Sequence, residues 1–133
     1  MAYAGAMLRN PEATYRQVDV VGRTTAAGDG AGLVQLLYEE LVHALRTAAW
    51  ATENRVFARK SERVTRATAI LYALEAGLDF EAGGEVSRTL ANLYAGARRQ
   101  VVAASLGDDP QPFRDVAANL QEIADAWASV RGR

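Results

Sequence analysis

Cysteine is missing from this sequence of 133 residues. Its absence excludes disulfides, zinc–thiolate centres and thiol nucleophiles, and it fits a reducing compartment. Histidine occurs once, at His43. A ferritin-like di-metal bundle needs Glu-x-x-His on two helices, which one histidine cannot supply. Nor does it leave a serine nucleophile with a base. The carboxylate pairs do not fill the gap. Glu39 and Glu40 are neighbours on a helix and diverge by about 100°, and Asp108 and Asp109 stand where acids cap a helix start. No catalytic residue, metal or cofactor is expected. An excess of one charge is lacking too: the formal net charge is −1, which gives no general attraction to nucleic acid or to an anionic membrane. Arg59, Lys60, Arg63 and Arg66 form a modest basic cluster without aromatic interleaving, and they read as a solvated helix face. No run approaches the ~20 apolar residues of a membrane span, and the N-terminus lacks the basic leader of a signal peptide. Prolines number three, Pro11, Pro110 and Pro112, and none interrupts a long periodic segment. Together these absences predict a cytoplasmic, all-helical chain with one core, long enough to bury roughly 65–70% of its unfolded surface.

The chain divides into a tail over residues 1–13 and a single helical-bundle domain over residues 14–133. Residues 14–23 hold Tyr15, Val18, Val20 and Val21 and read as a short helix or an extended arm lying on the bundle. Gly28-x-Gly30-x-Gly32 resembles a phosphate loop only superficially, because no strand precedes it and no Lys-Ser/Thr follows it. A flexible joint is the better reading. Four apolar stripes at three- and four-residue steps follow. The first helix, Gly30 to Asn54, carries Val34, Leu37, Leu41, Ala44 or Leu45, and Ala48. The second, about Ala58 to Gly77, carries Val64, Ala67, Leu71, Leu74 and Leu78. Gly83-Gly84 then predicts a break over residues 78–85, since glycine weakens a helix interior. The third helix runs from there to about Leu106, with Val86, Leu90, Leu93, Ala97 and Val101 inward. Tyr94 is expected at the edge of that stripe, and Arg98 and Arg99 near the negative end of the helix dipole. Gly107 is expected as a left-handed cap. The fourth helix, opened by Asp108 or Asp109 with Pro110, buries Phe113, Val116, Leu120, Ile123, Trp127 and Val130. Short connections make sequential neighbours antiparallel, so the predicted fold is an all-α, up-down-up-down four-helix bundle with a short N-terminal arm or helix.

An apolar surplus remains. Leu33, Leu36, Ile70, Tyr72, Tyr94 and Val102 lie beside the core stripes. Periodicity alone leaves open whether they complete the core or line a groove for an amphipathic partner helix.

Several pieces, in order and spacing, resemble the flagellar secretion chaperone family FliS. They are Tyr15-x-Gln17-Val18, Leu33-x-x-Leu36-Leu37-Tyr38, Ala67-x-x-Ile70-Leu71, Leu78-Asp79, Gly83-Gly84-Glu85-Val86, Leu90, Leu93-Tyr94, Arg98-Arg99 and Ile123-x-x-x-Trp127. The resemblance spans about residues 15–130. It implies an antiparallel bundle that binds the C-terminal segment of flagellin in the cytoplasm, prevents premature polymerisation, and delivers it to the type III export apparatus, where FlhA is the docking partner. It implies partner-binding roles for Tyr15 and Val18 on the arm and for Leu36, Ile70, Leu71, Leu93 and Tyr94 as groove residues. The arm is expected to cover part of the groove and to rearrange when the partner arrives. Two departures stand out. Gly28-Asp29-Gly30 occupies the place of the family's Ser/Thr-Pro, and Ala95-Gly96-Ala97 replaces bulkier residues after Leu-Tyr. Gly96 is therefore expected to permit close approach by the partner or by a neighbouring helix. A generic helical adaptor for another amphipathic export substrate or regulator is the alternative function.

Overall fold

The computed structural model describes residues 30–131. The tail, the arm with Tyr15 and Val18, and the Gly28-Asp29 joint lie outside the described residues, as do the side chains of Trp127 and Val130. Four helices fill the described span: α1 Gly30–Glu53, α2 Phe57–Ala76, α3 Phe80–Ser105 and α4 Gln111–Arg131. At 1.5 Å per residue they are about 30–40 Å long.

Each connection is closed by local chemistry. After α1, Val56 N–H donates to Ala51 O (2.8 Å) and Arg55 N–H to Thr52 O (3.3 Å). This paired pattern ends helices whose next residue turns left-handed. Here that residue is Arg55, with φ 58°, in place of the usual glycine. The α2–α3 corner is capped by Asp79, whose carboxylate accepts from the Glu81 and Ala82 N–H groups, both at 3.0 Å. Asp109 accepts from Gln111 N–H at the start of α4, as the sequence suggests, but Pro112 rather than Pro110 lies within the first turn. The chain ends α3 at Leu106 in a right-handed conformation. Gly107 is therefore not the left-handed cap expected of it; positive φ among the described residues falls only at Arg55 and Gly84.

The Gly83-Gly84 pair narrows a second expectation. It marks a kink between two helical stretches that run on as one element, so the expected break is present but confined to a single residue. It lies inside α3, one turn after the cap, where Gly84 alone leaves helical geometry (φ 53°, ψ −128°). Helices α2 and α3 part at the short Gly77–Asp79 corner. Ser87 explains how the kinked turn stays attached. Its hydroxyl is buried and donates to Asp79 O (2.9 Å). A Cβ on Gly83 would sit 1.8 Å from that oxygen, so the site has no room for a side chain.

The helices form a ring in which α1 packs on α2 and α4, and α3 packs on α2 and α4. The core comprises Tyr38, Leu41 and Leu45 from α1, Leu71 and Leu74 from α2, Leu90, Tyr94 and Val101 from α3, and Phe113, Leu120 and Ile123 from α4. Burying an aliphatic or aromatic side chain of this kind contributes about 1.5–3 kcal/mol each. The α3–α4 seam is the most open of the four.

The inward face of α3 is rotated from the predicted one. It runs through Ser87, Leu90, Tyr94, Ala97, Val101 and Ala104. Val86 is exposed and Leu93 is only half-buried. The cause is polar: Ser87 and Tyr94 satisfy their hydroxyls inside the bundle, which an apolar-stripe reading does not anticipate. Tyr94 meets Tyr38 across the core, with hydroxyl oxygens 2.5 Å apart and ring centroids 6.4 Å apart. Both rings are fully buried. Burial raises both phenol pKa values well above their ordinary range, because the phenolate would lose its hydration.

Candidate functional site

The residues singled out beside the core stripes separate into two groups. Ile70 and Tyr94 are core, as is Leu71. They hold the groove-bearing helices together, and in the free molecule they present no surface to a partner. Leu33, Leu36, Tyr72 and Val102 are exposed, Leu36 by 62%. Leu36 and Leu33 lie one and two turns before Glu40, on the edge of α1 from which Glu40 accepts a hydrogen bond from Arg66 of α2 (2.6 Å). Val34 and Leu37, on the other side of that edge, pack against the core. The first two turns of α1 thus carry a wider apolar surface than the bundle uses.

Leu93 lies elsewhere. It borders a groove of about 90 Å³ between α3 and α4. Leu93, Gly96 and Ala97 of α3 face Val116 and Leu120 of α4 across an apolar floor, and Asn92, Gln100 and Asn119 form the rim. None of these eight residues is charged. Asn92, Gly96 and Gln100 recur every four residues, so they line one edge of α3. A Cβ built on Gly96 would meet only the Arg99 Nη2 atom, at 3.7 Å. Among the described residues no atom of another helix lies within 4 Å of that Cβ position, so the close approach its small size permits is unused within the bundle. Sequence reading picked out Leu93 and Gly96. It missed Asn92, Gln100 and Asn119, whose shared position depends on how α3 and α4 are rotated against each other.

The basic residues also differ from expectation. Arg98 and Arg99 are more than a turn short of the end of α3, so they do not complement its dipole. Arg98 pairs with Glu75 of α2, and its guanidinium lies 4.1 Å from the centroid of the Tyr72 ring. Lys60 is not on a solvated face. It is buried, and its ammonium donates to Gly107 O (2.7 Å), tying the start of α2 to the α3–α4 connection. Arg66, by contrast, is exposed and bound to Glu40.

Among the described residues no cluster of three His, Asp or Glu side chains is placed to hold a metal ion, and no helix is long and apolar enough to cross a membrane. The arrangement offers grooves for another polypeptide. An apolar floor removes hydrophobic area from water, and a carboxamide rim can pair with backbone or uncharged side chains.

The family model described as "Flagellar protein FliS" matches residues 9–133. A protein named flagellar secretion chaperone FliS from Salmonella typhimurium is 32% identical over 117 residues, covering 87% of this chain and 86% of that one. The protein of that name from Vibrio cholerae is 28% identical over 123 residues, 92% and 90% of the two chains. The one from Bacillus subtilis is 28% identical over 120 residues, 90% and 85%.

Proposed function

The chain belongs to the FliS family of flagellar secretion chaperones, and on that premise we propose that it binds the C-terminal segment of flagellin, keeps it from polymerising early, and presents it to the export gate protein FlhA. A filament subunit carries amphipathic helices meant for its neighbours in the filament. Before export those helices need a temporary apolar partner, and a disordered segment folds as it binds one.

One observation carries the reading: the uncharged α3–α4 groove, with Gly96 uncovered at its centre. It suits a helix laid along the seam with an apolar stripe inward and uncharged polar residues at its flanks. Leu93 is the wall of that groove. The exposed Leu33 and Leu36 extend the apolar surface near the start of α1. Tyr15 and Val18 fall within the matched span and act as contacts of the arm. Ile70, Leu71 and Tyr94 serve the site by fixing the helices that form it. No nucleotide is required, because export itself removes the client.

Calorimetric titration with the flagellin C-terminal segment tests this. Binding is expected with a clearly negative heat-capacity change. Gly96→Leu fills the groove and is expected to weaken binding at least tenfold while the bundle keeps its helicity. Unchanged affinity in that variant would remove the α3–α4 groove from the interface. No binding by the wild-type chain would remove flagellin as the client.

A further inference from the structure

We infer that α3 carries a second docking groove, on its α2 side, for an acidic amphipathic helix of a protein other than the client. The groove has a volume of about 550 Å³. Its floor is Ala95 and Ala103, and its walls are Tyr72 and Val102, 61% and 50% exposed. Both side chains stand exposed beside the methyl groups of that floor. Such a slot accepts one large aliphatic or aromatic knob from a facing helix.

The walls are held in place. Arg98 sits over one face of the Tyr72 ring and is itself fixed by Glu75. Tyr72 is therefore presented in one orientation, with little entropy left to lose on binding. Arg98 is neutralised by that pair. Arg99, one residue on, is exposed and lines the same groove. No carboxylate lines it with them. A guanidinium at the rim of an apolar slot selects a carboxylate on the incoming helix, about one turn from the knob.

Charge favours an acidic helix in this groove: Arg98 and Arg99 both line it, whereas the residues lining the α3–α4 groove are apolar or carboxamides, with only the Arg99 Nη2 atom reaching its Gly96 edge. A helix flanked by neutral residues would leave the guanidinium at the rim of this groove without a partner. The two faces therefore select different helices, and they lie on opposite sides of α3, so both are open at once.

The probe is a fluorescein-labelled helical peptide with leucines at i, i+3 and i+7 and glutamates flanking them, titrated into the full chain alone and then into the chain saturated with the flagellin C-terminal segment. Binding is expected in both cases with similar affinity. Val102→Asp is expected to abolish it, Arg99→Ala to weaken it about threefold and Arg99→Glu about tenfold, while Arg99→Lys retains most of it. The same peptide with lysine for glutamate is expected not to bind. Both positions are exposed, and circular dichroism verifies the fold of each variant. Displacement of the probe by the flagellin segment would overturn the inference, as would affinity indifferent to Val102→Asp. So would sedimentation showing a homodimer that Val102→Asp dissolves, since a second copy would then occupy the slot. Failure of flagellin to bind, with the probe still bound, would refute the client reading and leave the second groove standing.

Discussion

Replacing Tyr38 by phenylalanine removes one oxygen from the interior and takes from Tyr94, fully buried, its hydrogen-bond partner across the core. The cost of orphaning a buried hydroxyl is about 1–3 kcal/mol. Removing both hydroxyls leaves neither member of the pair orphaned by the other, so Tyr38→Phe/Tyr94→Phe is expected to recover part of the loss. The coupling in the double-mutant cycle should then be about 1–2 kcal/mol and opposite in sign to the single losses. Urea unfolding at neutral pH measures all four corners, with the m-value checking that each remains two-state. Alkaline pH provides a second, independent reading. Burial raises both phenol pKa values, and an unfolded tyrosine ionises near pH ~10. The stabilisation from keeping these groups neutral is complete below that pH and is lost as pH rises above it. Where both are ionised in the unfolded chain and neutral in the fold, stability falls by about 2.7 kcal/mol per pH unit. The double Phe variant lacks that slope, so its curve should cross above the wild type in alkali. Additive single losses, or parallel alkaline curves for wild type and double variant, would refute the view that the two hydroxyls form one buried unit.

Two further substitutions test the backbone. Gly84→Ala adds a methyl group that meets no atom within 4 Å, so its whole cost is the positive φ. A loss of about 1–3 kcal/mol in thermal or urea unfolding is expected, and no loss would mean that the kink relaxes without penalty. Arg55→Gly relieves the left-handed Arg55 and is expected to stabilise by about 0.5–1 kcal/mol by the same assay, less any contribution from the Arg55 guanidinium, 5.2 Å from the Phe57 ring centroid.

Much of the bundle was legible because apolar period and capping agree. The bounds expected for α1 and α2 fall within a residue or so of those observed, and Leu41, Leu45, Leu71, Leu90 and Leu120 are core as their spacing implies. The errors cluster where a polar group is satisfied internally. Ser87 hid the true inward face of α3, Tyr94 appeared peripheral beside Leu93, and Lys60 passed for a surface cation until Gly107 O supplied its acceptor. The glycine pair was half legible for a related reason. Propensity treats both residues as helix breakers, yet Gly83 stays helical to make room for Ser87, and only Gly84 departs. The site was half legible. Leu93 and Gly96 follow from sequence, whereas the carboxamide rim requires the relative rotation of two helices, which no single-helix pattern encodes.

Helix α3 borders both grooves, and no other helix does. Its residues alternate between two readers: Asn92, Leu93 and Gly96 face one side, Ala95, Arg98 and Val102 the other. A change in the pitch or roll of α3 that improves the fit of one partner shifts the other face by the same angle. Two proteins that never touch would thus be bound to one another's evolutionary drift through a shared wall, and exchanging either partner between species would test the compatibility of both.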